Sequence, residues 1–370
     1  MDFNLTEEQR MIVDTTRAFV ENELYPHEAE VERTGELRRE LYEELKAKAI
    51  EAGLYAANMP EEVGGAGLDT QSWVLYEKEL GRTNYALHWN CVGRPSNILM
   101  ACNEDQRERY TLPCVRGEKI DCMAMTEPGA GSDLRGMKAT AVRDGDDWII
   151  NGTKHFISHA DVADFVIVYA ASGEEDTPRG KKKLITSFIV DMGTAGFTVR
   201  DGYRNVSHRG YTNSILEFDN CRVPDAQRLG DIHKGFEVAN DWLGATRMQV
   251  AATCLGRAER AFEHALQWSA GRQQFGQQIS KFQGVSFKLA DMALDMKAAH
   301  LLTMEAAWKY DQGTVTDADM AMAKLKASEM LAFVADEAIQ IHGGMGVMDE
   351  LPLERIWRDA RIERIWEGTS

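Results

Sequence analysis

Thr126-Glu127-Pro128-Gly129-Ala130-Gly131-Ser132-Asp133 begins five residues after Asp121, the point at which the chain changes texture. Read outward, the two sides differ. On the N-terminal side, residues 1–120 carry helical spacing: Ile12, Val13, Phe19, Val20 and Leu24 follow a capping-box pair, Thr6 and Gln9. A second helix runs through Leu41, Leu45, Ala49 and Ala52 and stops at Gly53. Met59 to Gly67 reads as a loop, and helical pattern returns over Thr70–Leu80 and Glu104–Arg116. On the C-terminal side, as far as Arg228, the runs are short and β-rich: Trp148-Ile149-Ile150, Phe165 to Tyr169 and Leu184 to Val190. Asp144-Gly145-Asp146, Asn151-Gly152 and Gly173 read as the turns between them. From Gly235 the chain is helical again, over 236–270, 282–312 and 316–342. The expectation is an α+β fold of segregated parts: an N-terminal α-helical domain (1–120), a β-barrel or sandwich domain (121–230) and a C-terminal α-helical bundle (231–370).

Bulk numbers narrow the function. The 59 Asp and Glu against 42 Lys and Arg give a net charge of -17, which argues against a nucleic-acid partner. A local arginine still suffices to hold a phosphate. No apolar run is long enough to cross a bilayer, and MDFNLTEEQR has neither the basic nor the apolar region of a secretory signal. The six cysteines are scattered and form no CxxC pair, so buried thiols in a reducing cytoplasm are expected. The nine histidines show neither HxH nor HExxH spacing, so no metal site is implied.

Five segments carry chemistry, each with a plainer reading beside it. In Thr126 to Asp133 the glycines let backbone N–H groups approach a ligand; a tight turn is the simpler reading. A Rossmann fingerprint is excluded, because Gly136 is wrongly spaced and strands follow. Asn151-Gly152 suggests a hairpin turn, after which Phe156 and Ser158 share one side of a strand. A ring beside a hydroxyl suits a flat heterocycle, although an ordinary half-buried strand reads the same. Arg272-Gln273-Gln274-Phe275-Gly276 offers a phosphate-binding arginine or a solvent-exposed helix end. Gln340-Ile341-His342-Gly343-Gly344-Met345-Gly346 is a C-capped helix or a glycine run against a cofactor. Trp366-Glu367-Gly368-Thr369 sets a carboxylate beside a bulky apolar residue, where desolvation raises its pKa and makes it a better base; a solvated surface glutamate is the alternative.

Taken together and in this order, TEPGAGSD, RxxFG, the glycine run after Gln340 and the terminal EGT closely resemble the acyl-CoA dehydrogenase family. The resemblance spans essentially the whole chain. It implies FAD held between the β domain and the C-terminal helices, with Met125 and Thr126 beside the flavin ring and Ser132 near the pyrophosphate or the CoA. Phe156 is then the cover of the flavin and Ser158 a partner near N5. Arg272, Phe275, Gln340, Gly343, Gly344 and Thr369 belong to the FAD contacts, the first five across a subunit contact, which implies a homo-oligomer, usually a tetramer. The implied reaction removes the α-proton of an acyl-CoA with Glu367 while a β-hydride passes to the flavin. The base and its acceptor must flank the acyl chain, and donors to the thioester oxygen strengthen as charge develops. Some relatives carry the base just before an arginine on the first C-terminal-domain helix; here that pair is Thr246-Arg247, and threonine cannot serve. Glu367 is therefore the catalytic candidate, with Arg247 orienting its loop.

By the same resemblance Leu87 to Arg94 corresponds to the helix lining the acyl pocket, with Trp89 shortening it and Arg94 meeting a polar or carboxylated acyl group; the plainer alternative is that Arg94 faces solvent or pairs with a carboxylate. Trp366 and Thr246 complete the substrate contacts. Two departures stand out: Gly244 replaces an aspartate common in relatives, and relatives continue beyond the position of Ser370. Family habit supplies an electron-transfer flavoprotein as electron acceptor. The competing readings are an acyl-CoA oxidase, a flavin monooxygenase on the same fold, and a non-catalytic acyl-CoA-binding protein.

Overall fold

The computed structural model describes residues 4–178 and 180–370. Its first part is helical. Helix α1 (Glu7–Phe19) opens on the expected capping box, in which the Thr6 hydroxyl accepts from Gln9 N–H and the Gln9 side chain accepts from Thr6 N–H. It is followed by α2 (Glu28–Thr34), α3 (Arg39–Glu51), α4 (Thr70–Leu80) and the short α5 (Glu104–Gln106) and α6 (Leu112–Val115). Leu41, Leu45 and Ala49 form the buried stripe of α3, as their spacing predicts. Three π-helical turns, Val20–Leu24, Leu87–Cys91 and Arg107–Thr111, leave no mark in that spacing. Such turns are frequent at functional sites, and the second carries Trp89.

The middle of the chain forms one eight-stranded sheet: β1 (Asp121–Ala124), β2 (Thr140–Asp144), β3 (Asp147–Ser158), β4 (Phe165–Thr177), β5 (Gly180–Asp191), β6 (Phe197–Arg200), β7 (Asn213–Pro224) and β8 (Arg228–Leu229). The order is β6-β7-β3-β2-β4-β5-β8, with β1 parallel to β4. Two of the expected turns lie inside strands. The β2–β3 connection is made at Asp144-Gly145-Asp146, whereas Asn151-Gly152 falls within β3. A Cβ on Gly152 would sit 2.6 Å from Ala139 Cα, so this glycine serves a close backbone approach rather than a reversal. Gly173 falls within β4, at a register shift against β5. A second bulge between Lys154 and Ile157 puts Phe156 at φ 57, so Phe156 and Ser158 do not follow plain strand alternation.

The remainder is helical: α7 (Gly235–Gly271), a small hairpin of β9 (Gln273–Gln274) and β10 (Gln277–Gln278), then α8 (Gln283–Asp311), α9 (Asp317–His342) and α10 (Leu353–Glu363). Small residues such as Ala258, Ala261, Ala327 and Ala335 lie in its buried core. Helix α7 also packs on α4, where a Cβ on Gly256 would come within 1.8 Å of the Lys78 carbonyl oxygen; only glycine permits that crossing. A buried ion pair ties the ends of the chain together: Glu28 accepts from Arg260 of α7 at 2.7 Å and from Arg355 of α10 at 2.6 Å. Among the described residues no helix is long and apolar enough to cross a membrane.

A candidate active site where strands and helices meet

A cavity of about 860 Å³ lies where the β-unit faces α7 and the segment after α10. Glu367 is on its wall at φ 50, a left-handed conformation that is costly for a residue with a side chain. Three contacts hold it. The Thr246 hydroxyl donates to its carboxylate at 3.2 Å. Buried Lys324 donates to the Gly368 carbonyl at 2.6 Å. The preceding Trp366 indole N–H donates to Glu363 at 2.7 Å. Burial pushes the Glu367 carboxyl above the ordinary carboxylate range; Thr246, Lys324 and Arg247 draw part of that shift back. Burial also pushes the Lys324 ammonium down, against the pull of nearby groups that include Glu363 and Glu367.

The other wall is built by Met125, Thr126, Phe156 and Ser158, all on the same cavity. Phe156 is 54% exposed, so its ring is open to a ligand, and the Ser158 hydroxyl accepts from Asn213 at 3.1 Å. Beneath them is a pair that sequence spacing does not reveal. Lys154, fully buried, donates to the Met125 carbonyl at 3.0 Å and to Glu127 at 2.8 Å. Glu127 also accepts the N–H groups of Lys138 (2.5 Å) and Ala139 (3.0 Å). Burial alone would push Glu127 up, but Lys154 and these donors hold it below the usual carboxylate range. The Thr126 loop is thus pinned through its second residue, a role assigned to none of the five motif segments.

The end of the cavity beside the Leu87–Cys91 turn is aromatic. Trp89 stacks on Tyr85 at 5.5 Å, and Trp366 lies 5.0 Å from Tyr85. Behind Trp89 the Arg94 guanidinium sits 5.3 Å from the indole. Its donors are engaged: Nε and one terminal nitrogen meet Glu77 at 2.7 and 2.8 Å, and the other reaches the carbonyls of His88 (2.6 Å) and Val92 (2.8 Å). The first terminal nitrogen also lies 3.2 Å from His88 Nδ1. Of the placements considered for Arg94, the geometry matches pairing with a carboxylate; it does not face solvent, because the Glu77 partner lies in the interior. His159 hydrogen-bonds Asn90 on the same cavity, and burial holds its imidazole down to about 4, hence neutral at ordinary pH.

The remaining sequence candidates lie off this cavity. Ser132, Arg272, Phe275, Gln340, Gly343, Gly344 and Thr369 are exposed, Phe275 at 94%. Arg247 is partly buried and acts on Glu367 through its charge. A Cβ on Gly244 would meet the Met320 thioether at 2.9 Å, so an aspartate there requires that flexible side chain to move.

This division of parts is shared with known proteins. The acyl-CoA dehydrogenase N-terminal, middle and C-terminal domains match residues 6–118, 122–221 and 233–370. The chain belongs to the acyl-CoA dehydrogenase family. It is 37% identical to the mitochondrial short-chain specific acyl-CoA dehydrogenase of Homo sapiens, over 99% of this chain and 88% of that protein. Butyryl-CoA dehydrogenase from Megasphaera elsdenii superposes with a TM-score of 0.90 at 35% identity, covering 100% of this chain and 96% of the other. The FAD complex of PigA superposes with a TM-score of 0.91 at 29% identity, covering 100% and 96%. The chain is thus an oxidoreductase acting on a CH–CH group, with FAD as its cofactor. The site fits that group: an open aromatic face, a hydroxyl beside it and a glycine loop in which Cβ positions on Gly129 and Gly131 meet nothing within 4 Å.

Proposed function

We propose that Glu367 is the base that takes the α-proton of a short acyl-CoA thioester, and that Arg247 orients the loop carrying it. The observation that carries this reading is the Glu367 carboxylate: it is on the cavity wall, pushed up by burial and held by the Thr246 hydroxyl. A carboxylate of raised pKa is a stronger base near neutral pH. FAD, when bound, supplies the hydride acceptor. The chain supplies geometry: Met125, Thr126, Phe156 and Ser158 hold the flavin, with Ser132 and Thr369 at its edges or on the CoA. Trp366 and Thr246 shape the space beside the thioester. Trp89, clamped between Tyr85 and Arg94, closes the acyl end and favours a small acyl group.

Arg272, Phe275, Gln340, Gly343 and Gly344 contact the FAD of a neighbouring copy in a homotetramer. In support, Phe275 is 94% exposed, and α8 and α9 expose Phe287, Leu294, Met322 and Leu325; apolar surface of this kind is ordinarily covered. The electron acceptor is an electron-transfer flavoprotein, by family membership. Six unbridged cysteines among the described residues suit a cytoplasmic setting. The test is anaerobic mixing of the FAD-loaded protein with straight, branched, cyclic and carboxylated acyl-CoAs. Short straight thioesters are expected to bleach the flavin, and Glu367→Gln to abolish the bleaching. Bleaching that survives Glu367→Gln would remove the base assignment.

A further inference from the structure

Behind Tyr85 and Trp366 lies a buried charge cluster whose residues are off the cavity lining. Glu363, the last residue of α10, is fully buried and ion-paired with Arg257 of α7, itself 1% exposed. His208, on the loop between β6 and β7, contributes Nε2 at 3.2 Å from Glu363 and is fixed by its own N–H donating to Asp359 at 2.7 Å. The three groups thus come from the β-unit, α7 and α10. The second Glu363 oxygen accepts the Trp366 indole N–H at 2.7 Å. His208 also stacks on Tyr85 at 4.2 Å, and Tyr85 and His208 lie 5.0 and 4.9 Å from the Trp366 ring.

A buried ion pair adds little net stability over apolar residues of the same volume. What it offers is direction. Here that direction is delivered to the residue next to the base. Trp366 N–H and Ile365 N–H both bond to the Ile362 carbonyl, so the turn that leads into Glu367 is tied to the last turn of α10. With the indole also tied to α10, the entry to the left-handed Glu367 is fixed in both main chain and side chain.

We infer that Glu363, held by Arg257 and His208, is a positioning residue: it sets the angle of Trp366 and, through it, where the Glu367 carboxylate stands over the substrate α-carbon. This rests on Glu367 being the base. Misplacing a catalytic group by about 1 Å costs up to roughly a hundredfold. The expected result of freeing the indole is therefore roughly a ten- to hundredfold fall in kcat with flavin content within about twofold of wild type, and in Glu363→Gln, which is off the cavity lining, a KM within about twofold as well.

The experiment uses the FAD-loaded full chain and compares Trp366→Phe, Glu363→Gln and the double variant on a short straight acyl-CoA. Trp366→Phe removes the N–H together with the five-membered ring but leaves Glu363 paired with Arg257 and His208, so it does not strand a charge. Isotope effects are measured with α- and β-deuterated substrate, beside flavin content and melting temperature. The inference expects kcat to fall in each single variant, no further fall in the double variant, and an α-deuterium effect that rises while the β-deuterium effect does not. Should Glu363→Gln not fold, Trp366→Phe alone decides by the same kcat and α-deuterium readings. Wild-type kcat and α-deuterium effect in Trp366→Phe, with Glu367→Gln inactive, overturn this inference and leave the base assignment standing. Bleaching retained in Glu367→Gln overturns both.

Discussion

Replacing Arg94 by methionine separates two roles for a cation at the acyl end. Arg94 is 3% exposed at its side chain and Glu77 is 0% exposed. In Arg94→Met, Glu77 keeps, among the described residues, the Gln249 amide, which donates to it at 3.1 Å. Removing one partner of a buried pair costs about 3–5 kcal/mol, because a desolvated charge is left behind. At about 2.1 cal/mol/K of unfolding entropy per residue, a chain of 370 residues melting as one unit loses about 0.8 kcal/mol per degree near its midpoint. The melting temperature of Arg94→Met should therefore drop by about 4–6 °C. Glu77→Leu combined with Arg94→Met removes both charges and should recover most of that loss. The assay is a thermal melt of each FAD-loaded variant, paired with turnover on butyryl-CoA and on a carboxylated acyl-CoA. If Arg94 is spent on Glu77, wild type shows no preference for the carboxylated thioester and the variant alters both substrates alike. A variant that melts with wild type and loses turnover only on the carboxylated thioester would refute the reasoning.

Three further outcomes are expected. Glu367 must be ionised to act, so kcat/KM should rise with pH through its raised pKa; Lys324→Met removes a cation that draws that pKa down, and the acid limb should move to higher pH. An unmoved limb would show that Lys324 is too screened to matter. Trp89→Ala opens the end of the cavity, so the preferred acyl chain should lengthen in a competition series; an unchanged profile would exclude Trp89 as the stop. Lys154→Met strands Glu127 under the Thr126 loop and should loosen flavin retention on a desalting column while the sheet stays folded by circular dichroism; full retention would mean the loop holds itself.

Helix existence and the three-part layout were legible in the sequence because spacing and capping are local. Thr6 and Gln9 are three residues apart, and α4 runs over Thr70–Leu80 as its pattern predicts. Local rules misled at Asn151-Gly152, a turn signature placed in mid-strand because Ala139 leaves no room for a side chain. Glu367 stood out through the family resemblance; its neighbours Trp366 and Gly368 alone left a solvated surface glutamate as the simpler reading. Its supports were not legible: Lys154 meets Glu127 across 27 residues, and Arg257 meets Glu363 across 106. Such pairs have no spacing signature, and each charge alone reads as a surface residue. The π-turn that carries Trp89 was equally silent, because one inserted residue barely alters an apolar stripe.

Helix α7 is 37 residues long and presents Thr246, Arg257 and Arg260 to three different tasks along its length. Each residue of an α-helix advances about 1.5 Å and turns by about 100°. Deleting a single residue between Thr246 and Arg257 would swing every later side chain by about that angle relative to Thr246, taking Arg257 off Glu363 and Arg260 off Glu28 at one stroke. The tip of the β4–β5 hairpin, where among the described residues Lys181 and Lys182 pair with Glu174 and Glu175, carries no such register. Insertions and reporter tags therefore belong in that hairpin, and α7 is the segment whose length natural variants should keep most strictly.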